Sequence, residues 1–337
     1  MRRAKENTFL HVGFGIRVIA FLVCFVLAFI SAYHANAITR TSSANGNWNA
    51  SATWTPNGVP AAIDDIVIAN GNTVTFSSSQ TIHNLTVNGI LKWSGAFKLS
   101  ITGMLTVNGK LDMNGGDLSL TTAGSPFILG ASSTFIWKPA DNTVAGASLF
   151  INGTENFSST STLVIQKWYD YTVPLAENIT GNFGNLELNS LANATIHEWN
   201  QNNLFEAHKV LGTLTIDQGW ITLDKSGNIS NTIIGSILLK NANSSFYGHN
   251  GTHPSSFTLT TSSVTNNGGI FYGLNDGDGN ITVHVTGDFI NLGNSKIITN
   301  SGMTNAGNGN ATFNVDGTFS QSTGDTRIIY NVTTTNS

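Results

Sequence analysis

The sequence predicts an all-β chain, folded as a right-handed parallel β-helix (a solenoid) with a cap at its N-terminal end. Three observations lead there. Short apolar strands recur, each closed by Asn-Gly or a similar turn. They recur at an interval of roughly 20 to 30 residues, the signature of a stacked repeat. No window after Ile38 keeps apolar residues at the three and four spacing of a helix, because Gly, Asn and β-branched residues interrupt each one.

The strands can be followed in order. Ile66-Val67-Ile68-Ala69 runs into Asn70-Gly71, Leu85-Thr86-Val87 into Asn88-Gly89, and Leu105-Thr106-Val107 into Asn108-Gly109. The last two copies align residue for residue at a shift of 20, and the first aligns on its turn at a shift of 18. Phe127-Ile128-Leu129-Gly130 and Phe150-Ile151-Asn152-Gly153 continue the pattern, followed by Leu214-Thr215-Ile216, Ile237-Leu238-Leu239 and Phe257-Thr258-Leu259. Near the end, Val285-Thr286-Gly287-Asp288-Phe289 is echoed by Val315-Asp316-Gly317-Thr318-Phe319 at a shift of 30.

Asn-Gly between apolar runs is also the strongest local signal for a hairpin, so antiparallel pairs in a sandwich compete with the solenoid. The repeating interval favours the solenoid. There Asn suits the turns because it tolerates left-handed backbone, and stacked copies can hydrogen-bond to one another. Alternation such as Leu-Thr-Val points apolar side chains into the stack and Thr outward. Coils of that length give about a dozen in one domain, 38–337, with 38–80 as its cap region. The stretch Ser159 to Trp199 fits the period worst and is expected to carry loops.

Residues 1–37 read as a secretory signal. Arg2, Arg3, Lys5 and Arg17 precede an apolar run, Val18 to Ile30, and Ala35-Asn36-Ala37 closes it with a small-residue cleavage pattern. The run is shorter than the roughly 20 residues a membrane span needs. Cys24, the one cysteine of the 337 residues, lies inside it, so the exported chain would fold without disulfides. Beyond the signal, 11 Lys and Arg stand against 18 Asp and Glu, a net charge of −7. That balance excludes nucleic acid as a partner. No later stretch is long and apolar enough to span a membrane. The 12 Asn-x-Ser/Thr sequons carry little weight, because 41 asparagines in a Thr-rich chain produce most of them by composition.

A solenoid must cover its first coil, where core and strand edge would otherwise be open. The segment after the signal has the parts for this: Asn47-Trp48-Asn49, Ala52-Thr53-Trp54, Gly58-Val59-Pro60, Asp64-Asp65-Ile66-Val67-Ile68 and Gly71-Asn72-Thr73-Val74-Thr75. This run resembles the opening of bacterial surface and adhesin-like β-helix proteins of the kind exported by Bacteroidetes. It is also similar to the start of the eight-glycine domain of some animal extracellular proteins. Phe183 to Leu188 and Leu211 to Ile216 resemble the repetitive body of the same bacterial proteins. The resemblance implies a secreted β-helix used for adhesion or display. Such proteins commonly finish in a sorting domain, which the run Asn331 to Thr335 does not resemble. No catalytic residue of the eight-glycine proteins maps onto this chain, so no activity is carried over.

Many β-helix proteins cleave polysaccharides, which requires clustered carboxylates, often with calcium or a basic residue. Here Arg40 and Arg327 are the arginines left after the signal, and acidic residues are scattered. The tightest pair, Asp64-Asp65, reads as a turn and cap feature, since adjacent strand residues face opposite ways. Asn275 to Asn280 spaces Asp276, Asp278 and Asn280 like a calcium loop. An EF-hand would need Gly and Glu where Ile281 and Gly287 stand, and a polar turn explains the run. His249 and His253, and separately His197-Glu198, lack a third zinc ligand. Of the seven tryptophans, Trp48 and Trp54 read as cap closure and Trp93, Trp137 and Trp220 as packing along the coils, with sugar stacking the rival role. Outward Thr73 and Thr75, or Thr258 and Thr260, raise an ice-binding face, which would need a regular Thr ladder that a drifting interval does not supply.

The expected function is therefore a secreted or cell-surface structural and adhesion module, offering an Asn- and Thr-rich solenoid face to an extracellular glycan or surface component. A polysaccharide lyase or hydrolase on the same scaffold is the alternative. No cofactor, catalytic residue or metal site is expected.

Overall fold

The computed structural model describes residues 37–138, 153–166, 182–189, 210–224, 231–249, 255–274, 279–300 and 310–322, nearly all of which belong to the unit Thr39–Ser337. The predicted signal, apart from Ala37, and the stretches 167–181 and 190–209 lie outside the described residues. Among the described residues the regular structure is strand, with one short 3-10 turn at Ser51–Thr53, and no helix is long and apolar enough to cross a membrane. Among the described residues the strand pairings are parallel except the one between Thr39–Ser42 and Trp54–Thr55.

The chain visits three sheets in rotation. Asp65–Ile68 lies in the first, Thr73–Phe76 in the second and Gln80–Ile82 in the third. The next circuit places Asn84–Val87, Ile90–Trp93 and Lys98–Ile101 beside them, and a further one adds Leu105–Val107, Lys110–Asp112 and Asp117–Leu120. Later the strands lengthen. Val210–Asp224 runs from the second sheet into a further one that it forms with Ser244–His249, and Ser255–Asn267 is long enough to pair with two successive strands, Gly279–Val285 and Phe289–Leu292. The second sheet can be followed through twelve successive parallel strands, from Gly46–Asn47 to Phe319–Gln321. Parallel sheets visited in this cyclic order are compatible with a β-helix. The Asn-Gly dipeptides turn the chain from one sheet into the next and do not close hairpins. Asn84–Val87 pairs with Asp65–Ile68 and Leu105–Val107, not with Ile90–Trp93.

The register agrees with the sequence at two places and corrects it at a third. Leu85 pairs with Leu105, and Val285 with Val315, at the predicted shifts. The first copy differs: Ile66 pairs with Leu85 and Thr73 with Ile90, shifts of 19 and 17 in place of a uniform 18. Four residues, Ala69 to Asn72, turn that corner, where Asn88-Gly89 turns the next with two. The expected left-handed asparagines are also corrected. Among the described non-glycine residues, positive φ occurs at Asn114 and Ser132, neither in these Asn-Gly corners. Asn88 and Asn108 serve the stack instead, with the Asn108 amide Nδ2 donating to Asn88 Oδ1 at 2.8 Å.

Alternate side chains point inward and pile into columns. Val74, Leu91, Leu111, Phe135, Leu163 and Leu186 follow one another along the second sheet, all buried, and Leu214, Ile237, Val264 and Phe289 extend the line. A neighbouring column departs from the expected pattern. After Leu188, Ile216 and Leu239 it continues with Asn266 and Asn291, both fully buried. Their Nδ2 groups donate to the Lys296 and Ser295 carbonyls, while both Oδ1 atoms have no protein partner.

The N-terminal segment lies against the first strands of the first two sheets. Thr39–Ser42 pairs with Asp65–Ile68 on one side and antiparallel with Trp54–Thr55 on the other, making Trp54–Thr55 the edge. Trp48 and Trp54 meet edge to face at 5.2 Å, Trp48 meets Phe76 at 5.1 Å, and Phe76 meets Trp93 at 5.2 Å. Asp64 turns inward and accepts from Arg40 Nε at 2.7 Å and from the Ala61 amide. Asp65 meets His83 and Asn84 instead.

Candidate functional site

The outward side of the second sheet carries one continuous polar line. Thr134 pairs with Thr162, Thr162 with Asn185, Thr213 with Ser236 and Ser236 with Ser263. Asn185 joins the two halves, its Oδ1 accepting from the Thr213 amide at 2.9 Å. Six hydroxyl or amide side chains thus stand on six successive strands, all half-buried. The Thr213 and Ser236 hydroxyls are 2.8 Å apart, and Asn185 Nδ2 lies 3.5 Å from Thr162 Oγ1. Each hydroxyl has one donor and two acceptor sites, so these internal bonds leave capacity for a ligand. None of the six side chains ionises in the physiological range. Two residues further along two of these strands, Ile136 and Leu238 add half-buried apolar groups. Period-2 geometry places them on the same side of the sheet.

Charge lies beside the line at its start, where Lys110 pairs with Thr134, and clusters at its middle. Lys240 Nζ lies 3.0 Å from Asp217 Oδ2 and 3.4 Å from Glu187 Oε1, drawing together side chains from three successive circuits. Asp217 also accepts from Asn189 at 3.2 Å and from Asn241 at 2.9 Å. Two carboxylates and a lysine are the groups a polysaccharide lyase would need, which makes this the best catalytic candidate among the described residues. The electrostatics oppose it. The hydrogen bond to Asp217 holds the Lys240 ammonium above its ordinary pKa, whereas a general base at neutral pH needs a depressed one.

A raised pKa in the folded state means that the stabilisation is complete below the unfolded lysine's pKa and is lost as pH rises through the folded one. Thermal unfolding followed across the alkaline range should therefore show a falling midpoint that Lys240→Met flattens. The loss should stay below about 1 kcal/mol, since this lysine is well exposed and solvent screens the pair.

A further sheet, in which Ser244–His249 lies between the end of Val210–Asp224 and Ile270–Leu274, bears aromatics on its outward side. Tyr247 and Tyr272 are paired in register and stack at 4.4 Å with planes 6° apart, and Trp220 meets Tyr247 edge to face at 5.3 Å. A sugar stacks on a ring face, and here Tyr247 and Tyr272 turn one face each toward the other. Burial, and then Tyr272 beside it, push the Tyr247 phenol well above its ordinary range, so it does not serve as a base. The arrangement packs the sheet.

The remaining sequence candidates disperse. Trp48, Trp54, Trp93 and Trp137 are buried and cannot be sugar platforms. Trp168 and Trp199 lie outside the described residues. So do His197, Glu198, His253 and residues 275–278 of the calcium-like loop. His249 is fully buried on Ser244–His249. No group of three or more His, Cys, Asp or Glu side chains among the described residues is placed to hold a metal ion. Thr73 and Thr75 are followed on the next strand by Ile90 and Lys92, so they do not begin a paired threonine face.

No protein-family model, curated protein or solved structure matches this chain. The polar line was not foreseen because its members are separated by 28, 23, 28, 23 and 27 residues. A drifting interval had seemed to exclude a ladder. It does not, because most surplus residues are taken up between strands, and the register shifts between Leu188 and Asn189 and between Val210 and Thr213 leave the six residues aligned.

Proposed function

We propose that this chain is a secreted or cell-surface adhesion module, a right-handed parallel β-helix that holds a neutral glycan against its outward polar face. Parallel strands in fixed rotation support the solenoid, and the usual handedness of parallel crossovers supports its right-handed sense. The apolar segment before Ala37 supports export, and the run from Asn47 to Thr75 supports the likeness to adhesin-like β-helix proteins. The observation that carries the binding role is the uncharged line from Thr134 to Ser263, a one-dimensional array of hydrogen-bonding groups.

The polysaccharide-cleaving alternative rests on Glu187, Asp217 and Lys240, and the raised Lys240 pKa counts against it. One experiment separates the two. The chain from Ile38 onward is mixed with insoluble polysaccharides, and both its depletion from solution and the release of new reducing or unsaturated ends are followed. Depletion without product is expected. Product growing in proportion to the protein added would replace adhesion with catalysis, and neither depletion nor product on any polymer would remove the glycan.

A further inference from the structure

Building on the glycan-binding reading, we infer that the line Thr134, Thr162, Asn185, Thr213, Ser236 and Ser263 takes an extended, neutral, β-1,4-linked polysaccharide laid along the stack, one sugar to each strand. Neighbouring strands lie about 4.8 Å apart. That spacing is comparable with the advance per sugar of a β-1,4-linked pyranose ribbon, which runs straight. An α-1,4-linked chain coils away from a straight row and would meet one or two strands only.

The donor and acceptor chemistry agrees. Hydroxyls and an amide can each give and accept, as sugar hydroxyls do, so the match survives the flip of alternate sugars along the ribbon. Ile136 beside Thr134, and Leu238 beside Ser236, provide apolar contact for the C–H faces of the rings. Charge completes the match. The six residues are neutral, the Lys240 ammonium is engaged by Asp217 and Glu187, that of Lys110, in register with Thr134, lies 3.7 Å from Asp112, and these carboxylates would repel a uronate or sulfated polymer.

The test measures binding isotherms of the chain on amorphous cellulose and chitin, with starch granules and an alginate gel as the α-linked and anionic comparisons. Thr213→Glu places a charge in the line, Thr213→Val removes its hydroxyl while keeping its shape, and Thr86→Glu places the same charge outward on the first sheet. Far-UV circular dichroism of each variant checks that the strands persist. Affinity for a β-1,4 polymer should fall about tenfold or more with Thr213→Glu, and severalfold with Thr213→Val. It should change less than about twofold with Thr86→Glu.

Equal binding by all variants would overturn this site and leave glycan adhesion standing. Binding confined to starch would overturn the β-1,4 assignment alone, and binding confined to alginate, whose mannuronate blocks are themselves β-1,4-linked, would overturn the neutral one alone. Absence of binding to every polymer would overturn both.

Discussion

Trp48→Ala is expected to destabilise the chain from Ile38 onward by about 3–5 kcal/mol, seen as a lowered urea midpoint with an unchanged slope. The reason lies in what one ring closes. Trp48 is fully buried, with its ring edge to face against both Trp54 and Phe76, and its carbonyl accepts the Trp54 indole N–H at 2.8 Å. Truncation opens a cavity in the first circuit, where Trp54–Thr55 is the edge strand and, among the described residues, no further strand pairs beyond it. Trp48→Phe gives the sharper comparison. The Trp48 indole N–H has no partner, so Phe removes an unsatisfied donor while keeping most of the ring. It should cost less than about 1.5 kcal/mol. Equal losses in the two variants would mean that ring packing is not what closes this end.

Gly109→Ala should cost about 3 kcal/mol by the same measurement, although it adds a single methyl group. A Cβ at Gly109 would lie 2.1 Å from the Gly89 carbonyl oxygen and 2.5 Å from that of Asn88. Both are backbone atoms and cannot swing aside. The Gly89 carbonyl also accepts from the Lys110 amide at 2.8 Å, so any displacement loosens the ladder that joins the two circuits. A cost below about 1 kcal/mol would show that the corners are not stacked this closely.

These two residues also show what the sequence could and could not reveal. Asn-Gly was legible as a repeated punctuation mark, and aligning one copy on the next gave the Leu85 to Leu105 register correctly. Its physical reason was half legible: the bonding of one stacked Asn to the next was expected and is seen between Asn108 and Asn88, whereas left-handed backbone was expected at these asparagines and is not found there. A lone Asn-Gly pair suggests left-handed backbone, because local conformation is all that a short segment displays. Gly71 keeps a left-handed φ of +80°, whereas in the stack Gly89 and Gly109 are required by the backbone of the neighbouring circuit and Asn108 bonds to Asn88. Neither reason exists until the circuits are superposed.

The third sheet was missed for a simpler reason. Lys98-Leu99-Ser100-Ile101 and Asp117-Leu118-Ser119-Leu120 alternate as strands should, but their flanking turns differ, Ser94-Gly95 before the first and Asn114-Gly115-Gly116 before the second, so no repeated mark announces them. The buried Asn266 and Asn291 were hidden differently. They occupy an inward column that is apolar on earlier strands, and composition alone made them look like turn residues. The polar line on the second sheet was the least legible feature, since columns are a property of register and register depends on how many residues each corner absorbs.

That line is also where the account is most exposed to test. Thr213 and Ser236 stand 23 residues apart in sequence, yet their hydroxyls are 2.8 Å apart across adjacent parallel strands. The chain from Ile38 onward has no cysteine, so Thr213→Cys with Ser236→Cys introduces its only two thiols. Mild oxidation followed by peptide mass spectrometry should find the two joined within one chain, because neighbouring strands bring Cα atoms into the 4.4 to 6.8 Å range that a disulfide spans, by about the usual limits. Two free thiols, or disulfides formed only between chains, would contradict the parallel register and with it the polar line on which the proposed function rests.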